Sequence, residues 1–400
     1  MGKVGRYLNG YAFSSKTWAT TGRPIIRIQN LTGTGSEFNY FDGDIEPRYV
    51  VRPGDLLFSW AATLGVYVWS GPEAVLNQHI FKVESFLNKN FHRYLIEACL
   101  DEMKAKTHGS GMVHITKTKF DEIPVLIPPS DEQDEIVRIL EEQFSRLDAA
   151  AAAIAAVRSK AEQFRRSLLH AAFTGALTHT GARWMTRGSA SCVPVGWRHR
   201  DLSDICRVVS GSTPKTTVDA YWGGDIPWIT HNDLSKNRGK FVFGGERRLT
   251  QAGFDSCSTQ MIPAGSVLFS SRAPIGFVAI AGVSMCTNQG FKSAIPGPDI
   301  DKEFLYWQLQ ERTASIRARA SGTTFLEISG KRFSATSLVV PPLTEQREIV
   351  QILEEQFSRQ EASLALVDAV ERKVGALRRS LLHAAFSGEL TKDWREQDRG

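Results

Sequence analysis

The chain has 400 residues, which is more than one ordinary domain holds and fits two or three. Its 42% hydrophobic and 23% charged residues exclude an intrinsically disordered chain, and its net charge of +5 permits a polyanionic partner without requiring one. Five scattered cysteines, and no apolar run near the ~20 residues of a membrane span, argue against a disulfide scaffold and a membrane-spanning protein, so we expect a cytoplasmic protein.

The first segment, residues 1–127, is rich in aromatic and β-branched residues and in turn signals, and it lacks a long helical period. Runs such as GRPIIRIQNL (22–31), RPGDLLFSW (52–60) and LNQHIF (76–81) are typical of short strands that end in polar turns. We therefore predict a mixed, mainly β domain over residues 1–127.

A long helix is predicted over residues 128–178. The diproline at 128–129 suits the approach to a helix, Asp131 is the expected N-cap, and Gly175 is the expected stop. Apolar positions recur in steps of three and four with one three-residue slip at Val157, as in a coiled-coil seam. At 1.5 Å per residue, about 43 residues form a rod of roughly 65 Å.

A linker (179–196) leads to a second mixed segment, residues 197–340, that repeats the motifs of the first. GDIPWITHNDL corresponds to GRPIIRIQNL, PAGSVLFSS to RPGDLLFSW, and TNQGF to LNQHIF. GWRHRDLSDI (196–205) leads into this segment, whereas aligning Gly10 with Gly211 places Met1 opposite Leu202. We therefore expect a short N-terminal entry, with two alternatives: either the chain starts late or a true start lies upstream. The two mixed domains have diverged, as readers of two different targets would.

The second long helix, residues 341–391, repeats the first, and residues 392–400 form a tail. An offset of 213 residues without a gap gives 32 identities in 51 positions, which indicates duplication. Thr344 is its expected N-cap and Gly388 its stop. Such a stripe can pack on the helix's own domain, but two matched rods favour packing against each other.

The two stripes share one spacing. In the first helix the expected seam is Val137, Leu140, Phe144, Leu147, Ala151, Ile154, Val157, Ala161, Phe164 and Leu168. In the second it is Val350, Leu353, Phe357, Gln360, Leu364, Val367, Val370, Val374, Leu377 and Leu381.

Motifs of catalysis are missing. The sequence has no G-x-x-x-x-G-K-[ST] phosphate loop, no H-E-x-x-H and no His/Cys set with metal spacing. His170 and His383 lie next to the repeated seam leucines, where helix packing or capping explains them better than catalysis. We therefore expect a chain without its own catalytic centre and without a bound metal.

Basic residues lie on predicted loops of both mixed domains. Lys236, Arg238 and Arg272 are examples in the second, and Arg27 is one in the first. Lys and Arg neutralise phosphates, while Arg, Asn and Gln read base edges. A solvated surface is the alternative explanation, but two related modules held apart by rods suit a split DNA target.

At SGSTPKT, GDIPWITHNDL, GSVLFSSRAPIGFVAIAG, TNQGFK and the P-P-x-x-E-Q entry to each rod, the chain strongly resembles the specificity subunit of type I restriction–modification systems. The resemblance covers essentially the whole chain. It implies an α+β fold with two target-recognition domains separated by two helices, which pair as an antiparallel coiled coil with a pseudo-twofold internal repeat.

The resemblance also implies a non-catalytic role in a site-specific deoxyribonuclease and adenine methyltransferase complex. Each domain would read one half of a bipartite, asymmetric double-stranded DNA site. Two methyltransferase subunits using S-adenosylmethionine, and two restriction subunits using ATP and Mg, would be the partners.

The residues expected to contact DNA follow the resemblance and the basic loops. In the first half they are Arg27, Gln29, Asn30, Ser59, Trp60, Thr63, Asn77, Gln78, His79 and Lys117. In the second half they are Thr230, His231, Asn232, Lys236, Arg238, Ser271, Arg272, Asn288, Gln289 and Lys331. Lys117 and Lys331 are candidates for phosphate contacts, and the Asn-Gln pairs could equally be turn-makers.

Two other functions fit the residues less well. A protein-interaction scaffold would lack salt-dependent DNA affinity, and a nuclease acting alone would cleave DNA with a divalent metal.

Overall fold

The computed structural model describes residues 1–105, 114–179, 184–187, 190–237, 239–272, 274–322 and 326–397. It divides into two units that share the two long helices. Unit 1 comprises Met1–Ala155 and Val367–Gly400, and unit 2 comprises Ala156–Leu366.

Among its described residues, unit 1 begins with eight short strands and four short α-helices. The strands are β1 (Gly5–Asn9), β2 (Arg23–Ile26), β3 (Asn39–Phe41), β4 (Val50–Val51), β5 (Leu56–Ser59), β6 (Gly65–Val68), β7 (Ala74–Leu76) and β8 (Ile80–Ser85). The helices are α1 (Ile28–Thr32), α2 (Lys89–Ala98), α3 (Leu100–Ala105) and α4 (Lys117–Asp121). The first long helix follows as α5 (Ser130–Thr174).

The strands of unit 1 form two four-stranded sheets, in the orders β1-β8-β5-β6 and β3-β2-β7-β4. All four residues of β5 are buried. Leu56 and Phe58 contribute to one hydrophobic cluster and Leu57 to another, because alternate side chains of a strand point to opposite faces. The Leu-Leu-Phe run therefore lies between two cores.

One core of unit 1 contains a buried polar chain. The Tyr7 hydroxyl lies 2.7 Å from His92 Nε2, and His92 Nδ1 lies 2.8 Å from Ser85 Oγ. Because Ser85 donates its hydrogen to Leu87 O, His92 Nδ1 carries the proton and Nε2 accepts from Tyr7. Burial lowers the pKa of His92 to about 4, so this imidazole is neutral.

Unit 2 contains twelve strands and five short helices among its described residues. The strands are β9 (Trp184–Arg187), β10 (Ala190–Pro194), β11 (Arg198–Asp201), β12 (Cys206–Ser210), β13 (Trp222–Ile229), β14 (Phe241–Val242), β15 (Arg248–Leu249), β16 (Val267–Ser270), β17 (Val278–Ala281), β18 (Cys286–Thr287), β19 (Phe291–Pro296) and β20 (Ser337–Val340). The helices are α6 (Leu202–Ile205), α7 (His231–Lys236), α8 (Gln251–Asp255), α9 (Lys302–Ala318) and α10 (Gly330–Ser334). The second long helix, α11 (Leu343–Ser387), and α12 (Lys392–Gln397) complete the chain.

Among the described residues, unit 2 has one sheet of five strands and one of three where unit 1 has two of four, and it adds two two-stranded sheets. The strand orders in unit 2 are β12-β19-β16-β17-β14, β15-β13-β18, β11-β20 and β10-β9. Strand β16 corresponds to β5, and its four residues are likewise buried between two cores. The α+β fold class predicted from the sequence is confirmed.

Each long helix starts at a diproline and ends at a glycine. Gln133 Nε2 donates to Pro128 O at 2.9 Å, and Gln346 Nε2 donates to Pro341 O at 2.8 Å. Gly175 and Gly388, the predicted stops, both have a φ of +83°, which glycine adopts without strain. The predicted N-caps were wrong: α5 starts at Ser130 and α11 at Leu343, so Asp131 and Thr344 lie inside the first turn.

The two long helices pack antiparallel in each unit. In unit 1, Arg378 of α11 lies 3.3 Å from Asp148 of α5 and stacks on the Phe144 ring at 4.1 Å. Further along, Thr391 reaches back to Glu132 near the start of α5. As residue numbers rise along α11, the residues that it contacts on α5 have falling numbers, so the two helices run antiparallel.

The same direction holds in unit 2. Gln360 Nε2 donates to Ala161 O at 2.6 Å, and the Arg165 guanidinium lies 4.4 Å from the centre of the Phe357 ring. Thr178, beyond the glycine stop, donates to Glu345 in the first turn of α11.

The seam residues differ in burial along the helices. Those fully buried are Leu140, Phe144, Leu353 and Phe357, and those half-buried are Leu147, Ile154, Leu168, Leu364, Val367 and Leu381. The stripe was wrong at Val157, Phe164, Val370 and Leu377, which are 44–54% exposed. Near each glycine stop, the buried residues lie on the helix face next to the predicted seam. They pack into the cores of the units and are Leu169, Phe173, Leu382 and Ala385.

Candidate nucleic-acid interface

Three loops meet at one place in unit 1 because backbone hydrogen bonds link them. Asn77 N–H, just after β7, donates to Ile26 O at the end of the parallel strand β2. Trp60 N–H, just after β5, donates to His79 O, and Ile115 N–H donates to Trp60 O. The loops that follow β2, β5 and β7 are thereby held side by side.

Unit 2 repeats these bonds position by position. Asn288 N–H donates to Ile229 O, Ser271 N–H to Gly290 O, and Ile328 N–H to Ser271 O. A glycine directly follows the strand that leads to each cluster, since a Cβ at Gly10 would lie 2.2 Å from Asn77 O and one at Gly211 2.2 Å from Asn288 O. The same scaffold therefore carries two sets of side chains.

In unit 1 the loops surround a cavity of about 280 Å³. Its lining includes five predicted residues: Arg27, Gln29, Asn77, Gln78 and His79. Phe13 and Trp18 also line it and were not predicted, since no local pattern sets them apart from core aromatics. The Arg27 guanidinium lies 5.6 Å from the centre of the Trp18 ring and donates to Asn39 Oδ1 at 3.2 Å, which orients it toward the cavity wall.

His79 is the polar centre of this cluster. Its ring packs edge-on against Trp60, with the ring centres 5.6 Å apart, and its Nε2 lies 3.2 Å from Gln78 Nε2. Its Nδ1 is buried and has no hydrogen-bond partner within the described part of the chain. A buried polar atom without a partner is costly, so a ligand that supplies one is favoured here.

In unit 2 charged side chains form ion pairs at the equivalent place. Arg272 Nη2 lies 3.0 Å from Glu327 Oε2, and the nearly buried Lys292 lies 3.6 Å from Glu327 Oε1. Gly290 stands where unit 1 has His79. A Cβ there would lie 3.4 Å from both Arg272 Cγ and His231 Nδ1 and 3.1 Å from Asn288 Oδ1, so glycine leaves the room that Arg272 uses.

Several predicted residues use their side chains within the protein. Asn30 Oδ1 accepts from Arg27 N–H at 3.0 Å, and Thr230 accepts from Asp233 N–H at 3.2 Å, each at the start of a short helix. Asn288 Oδ1 accepts from Gly290 N–H at 3.0 Å, which favours the turn-making alternative for this residue. The Ser59 hydroxyl is buried and donates to Thr63 O.

The remaining predicted residues lie around the two clusters. Lys117 pairs with Asp121 at 2.9 Å and Lys236 with Glu246 at 2.6 Å, both at the surface. Ser271 is fully buried. Thr63, Asn232, Gln289 and Lys331 are exposed, and Gln289 accepts from Thr213. Arg238 lies outside the described residues.

A second arginine–tryptophan pair lies in unit 2. The Arg247 guanidinium lies 3.4 Å from the centre of the Trp222 ring, which packs edge-on against Trp228 at 5.0 Å. Sequence reasoning missed Trp222, because its partner Arg247 is 25 residues away and no spacing rule links them. Stacking on tryptophan holds a guanidinium with its donors directed outward.

The described residues include no group of three or more His, Cys, Asp or Glu side chains arranged to hold a metal ion. None of their helices is long and apolar enough to cross a membrane.

Comparison with known proteins gives one consistent result. The family model for the type I restriction modification DNA specificity domain matches residues 1–156 and 194–364. The specificity subunit of the type I restriction enzyme MjaIX from Methanocaldococcus jannaschii is 39% identical over 163 residues, which cover 40% of this chain and 38% of that protein. The EcoBI specificity subunit from Escherichia coli is 24% identical over 420 residues, covering 100% of this chain and 87% of that protein.

Solved structures show the same fold. A chain from a study of complex assembly and conformational transition in the type I R-M system superposes with a TM-score of 0.73 at 20% identity, covering 97% of each chain. The HsdS subunit from Thermoanaerobacter tengcongensis gives 0.50 at 20% identity, covering 97% of this chain and 96% of that one. With a family match that extends over most of both units, the chain belongs to the type I restriction–modification DNA specificity family.

Proposed function

We propose that each unit reads one half of a bipartite, asymmetric DNA site, and that the paired long helices set the gap between the halves. The observation that carries this proposal is the double loop cluster. Its hydrogen-bonded backbone is the same in both units, whereas the equivalent positions hold Trp60 and His79 in one unit and Ser271 and Gly290 in the other. A conserved frame with exchanged side chains suits the reading of two different sequences.

The chemistry of the clusters fits base edges and phosphates. Arginine can bind guanine through two parallel hydrogen bonds, and Asn or Gln can bind adenine in the same way. Arg27 and Arg272 are held by defined neighbours, so less conformational entropy is lost when they bind. The exposed Lys331 suits a phosphate contact.

In this proposal the chain is not itself catalytic. It recruits two methyltransferase subunits through the long helices, and two restriction subunits join the complex. S-adenosylmethionine, ATP and Mg bind to those partners, which carry out adenine methylation and DNA cleavage.

Methylome sequencing of the host, with and without the gene, tests the proposal. We expect deletion to remove one split adenine-methylation motif with a fixed gap. If all motifs persist, the proposal fails. Binding of the chain with its methyltransferase partner to a duplex carrying that motif should weaken steeply with salt, whereas a protein-interaction scaffold would show no such affinity.

A further inference from the structure

Three charged side chains form one connected group in the loop cluster of unit 2. Glu327 lies between two cations, since its Oε2 is 3.0 Å from Arg272 Nη2 and its Oε1 is 3.6 Å from Lys292 Nζ. The side chain of Lys292 is only 9% exposed, whereas those of Arg272 and Glu327 are 38% and 33% exposed. This ionic triad therefore runs from a buried cation, through a carboxylate, to a cation that solvent reaches.

In unit 1 an aromatic residue takes the strand position of Lys292. Phe269 of β16 lies opposite Lys292 of β19, and Phe58 of β5 lies opposite Phe81 of β8. The rings of Phe58 and Phe81 are stacked, with their centres 6.3 Å apart, so apolar packing satisfies this position in unit 1. A buried cation in the same place is costly unless an anion lies beside it, and in unit 2 the triad's glutamate supplies that charge.

The backbone holds the other two members of the triad together. An antiparallel bridge joins Arg272 to Glu327, and Glu327 also exchanges two backbone hydrogen bonds with Ser321, of 3.0 Å and 3.1 Å. The corresponding bridge of unit 1 joins Ala61 to His114, where neither an arginine nor a carboxylate is present. Unit 2 thus fixes its arginine through both the main chain and the side chain.

The triad leaves Arg272 able to bind a further acceptor. Among the described residues, its guanidinium donates only to Glu327, and a guanidinium carries several more N–H donors. Two cations and one carboxylate give the triad a net positive charge, because Lys292 offsets part of the charge of Glu327. Guanine presents two acceptors, O6 and N7, in the major groove, and they match a guanidinium held in one orientation.

We propose that Glu327 and Lys292 position Arg272 to read a guanine in the half-site of unit 2, an inference that rests on the proposed function. Glu327 fixes the orientation of the guanidinium, and Lys292 holds Glu327 from the buried side. Because the guanidinium is already ordered, less conformational entropy is lost when it binds the base. Glu327 and Lys292 are positioning residues, so their effect on DNA binding passes through Arg272.

The first test uses the unmodified chain with its methyltransferase partner and a duplex that carries the split motif found by methylome sequencing. Each guanine of the motif is replaced in turn by deazaguanine, in which a C–H group takes the place of the N7 acceptor. We expect one replacement to weaken binding about tenfold, measured by fluorescence anisotropy, and to change the affinity of Arg272→Ala less than about twofold. Selective binding in which no guanine shows this dependence would overturn the inference alone. Absence of selective binding would overturn the proposed function as well.

A double-mutant cycle tests the positioning role. Glu327→Gln keeps the shape of the side chain but removes its charge, so we expect about fivefold weaker binding to the cognate duplex and no further loss in the Arg272→Ala background. Lys292→Met should weaken binding by about threefold, again only when Arg272 is present. Asp255→Asn, at an exposed carboxylate of unit 2, is the matched control and should leave the affinity unchanged.

Two results of this cycle would overturn the inference. Equal weakening by Glu327→Gln with and without Arg272 would assign the glutamate a purely structural role. Tighter binding by Glu327→Gln to all duplexes would show that the carboxylate competes with DNA for the guanidinium.

Discussion

Thr391 donates a hydrogen bond of 2.6 Å to Glu132, and the equivalent Thr178 donates one of 2.8 Å to Glu345. In each unit this bond joins the end of one long helix to the beginning of the other. Glu132 is only 6% exposed and also accepts from Arg395. The Glu of the P-P-x-x-E-Q motif is therefore a link between the helices.

Glu132→Gln should destabilise unit 1. The amide oxygen of glutamine can still accept from Thr391, but the charge that Arg395 faces is lost, so we expect a loss of about 2 kcal/mol. Urea denaturation measures this loss. Glu142→Gln is the matched control, because Glu142 pairs with Arg138 and Arg146 at the surface and should cost less than about 1 kcal/mol. Equal losses would contradict the linking role.

Phe357→Ala should destabilise unit 2 by about 3–5 kcal/mol, because it removes a buried ring. The ring is 3% exposed, its centre lies 4.8 Å from that of Trp307, and the Arg165 guanidinium lies 4.4 Å from its centre. Thermal and urea unfolding measure the change. Leu366→Ala on the same helix, at an exposed position, should stay within about 0.5 kcal/mol. A loss below 1 kcal/mol for Phe357→Ala would show that the helix pairing does not depend on this residue.

Unit 1 should lose stability as the pH falls from 6.5 to about 4. His92 has an ordinary pKa of 6.5 and a folded value of about 4, so between these values the unfolded chain binds a proton that the folded chain does not. Lowering the pH through this whole range should reduce the free energy of unfolding by on the order of 3 kcal/mol.

Urea midpoints measured across that pH range check the His92 effect. His92→Gln should remove most of the slope, and His199→Gln, at an exposed histidine, should retain it. If the urea midpoint of His92→Gln still falls with pH as steeply as that of the unmodified chain, other titratable groups cause the effect.

Arg272→Ala should change the reading of one half-site. If Arg272 contacts a base, its loss costs about 1–3 kcal/mol and relaxes specificity at that position alone. Methylome sequencing of a strain carrying the variant reports which half of the motif changes. Arg6→Ala, at a 72% exposed side chain outside the clusters, should leave the motif intact. An unaltered motif in Arg272→Ala would exclude base reading by this residue.

Lys331→Ala should weaken binding to all duplexes about equally and lower the slope of log affinity against log salt by about one. Lys117→Ala, on the equivalent helix α4, should act in the same direction but less, because Asp121 at 2.9 Å already offsets its charge. Titrations at several salt concentrations give both slopes. Sequence-selective weakening would point to a base contact instead.

The helices show what local signals predict well. Pro128, Pro341, Gly175 and Gly388 act through their own backbone conformation, so their positions in the sequence were enough to bound both helices. Both predicted N-caps lie two residues too far along the chain, because the helices start directly after the prolines. Phe164 and Leu377 were wrongly predicted to lie in the seam, because their exposure depends on which neighbours the core of each unit supplies.

The sequence by itself determined the duplication, the α+β class and the family resemblance, since these depend on motifs read along the chain. Only the tertiary structure decided which loop residues meet. Trp18 joins Arg27, and Arg272 occupies the room left by Gly290, because hydrogen bonds between distant strands bring their loops together. The polar side chains that serve the fold, as those of Asn30 and Asn288 do, were identified in the same way.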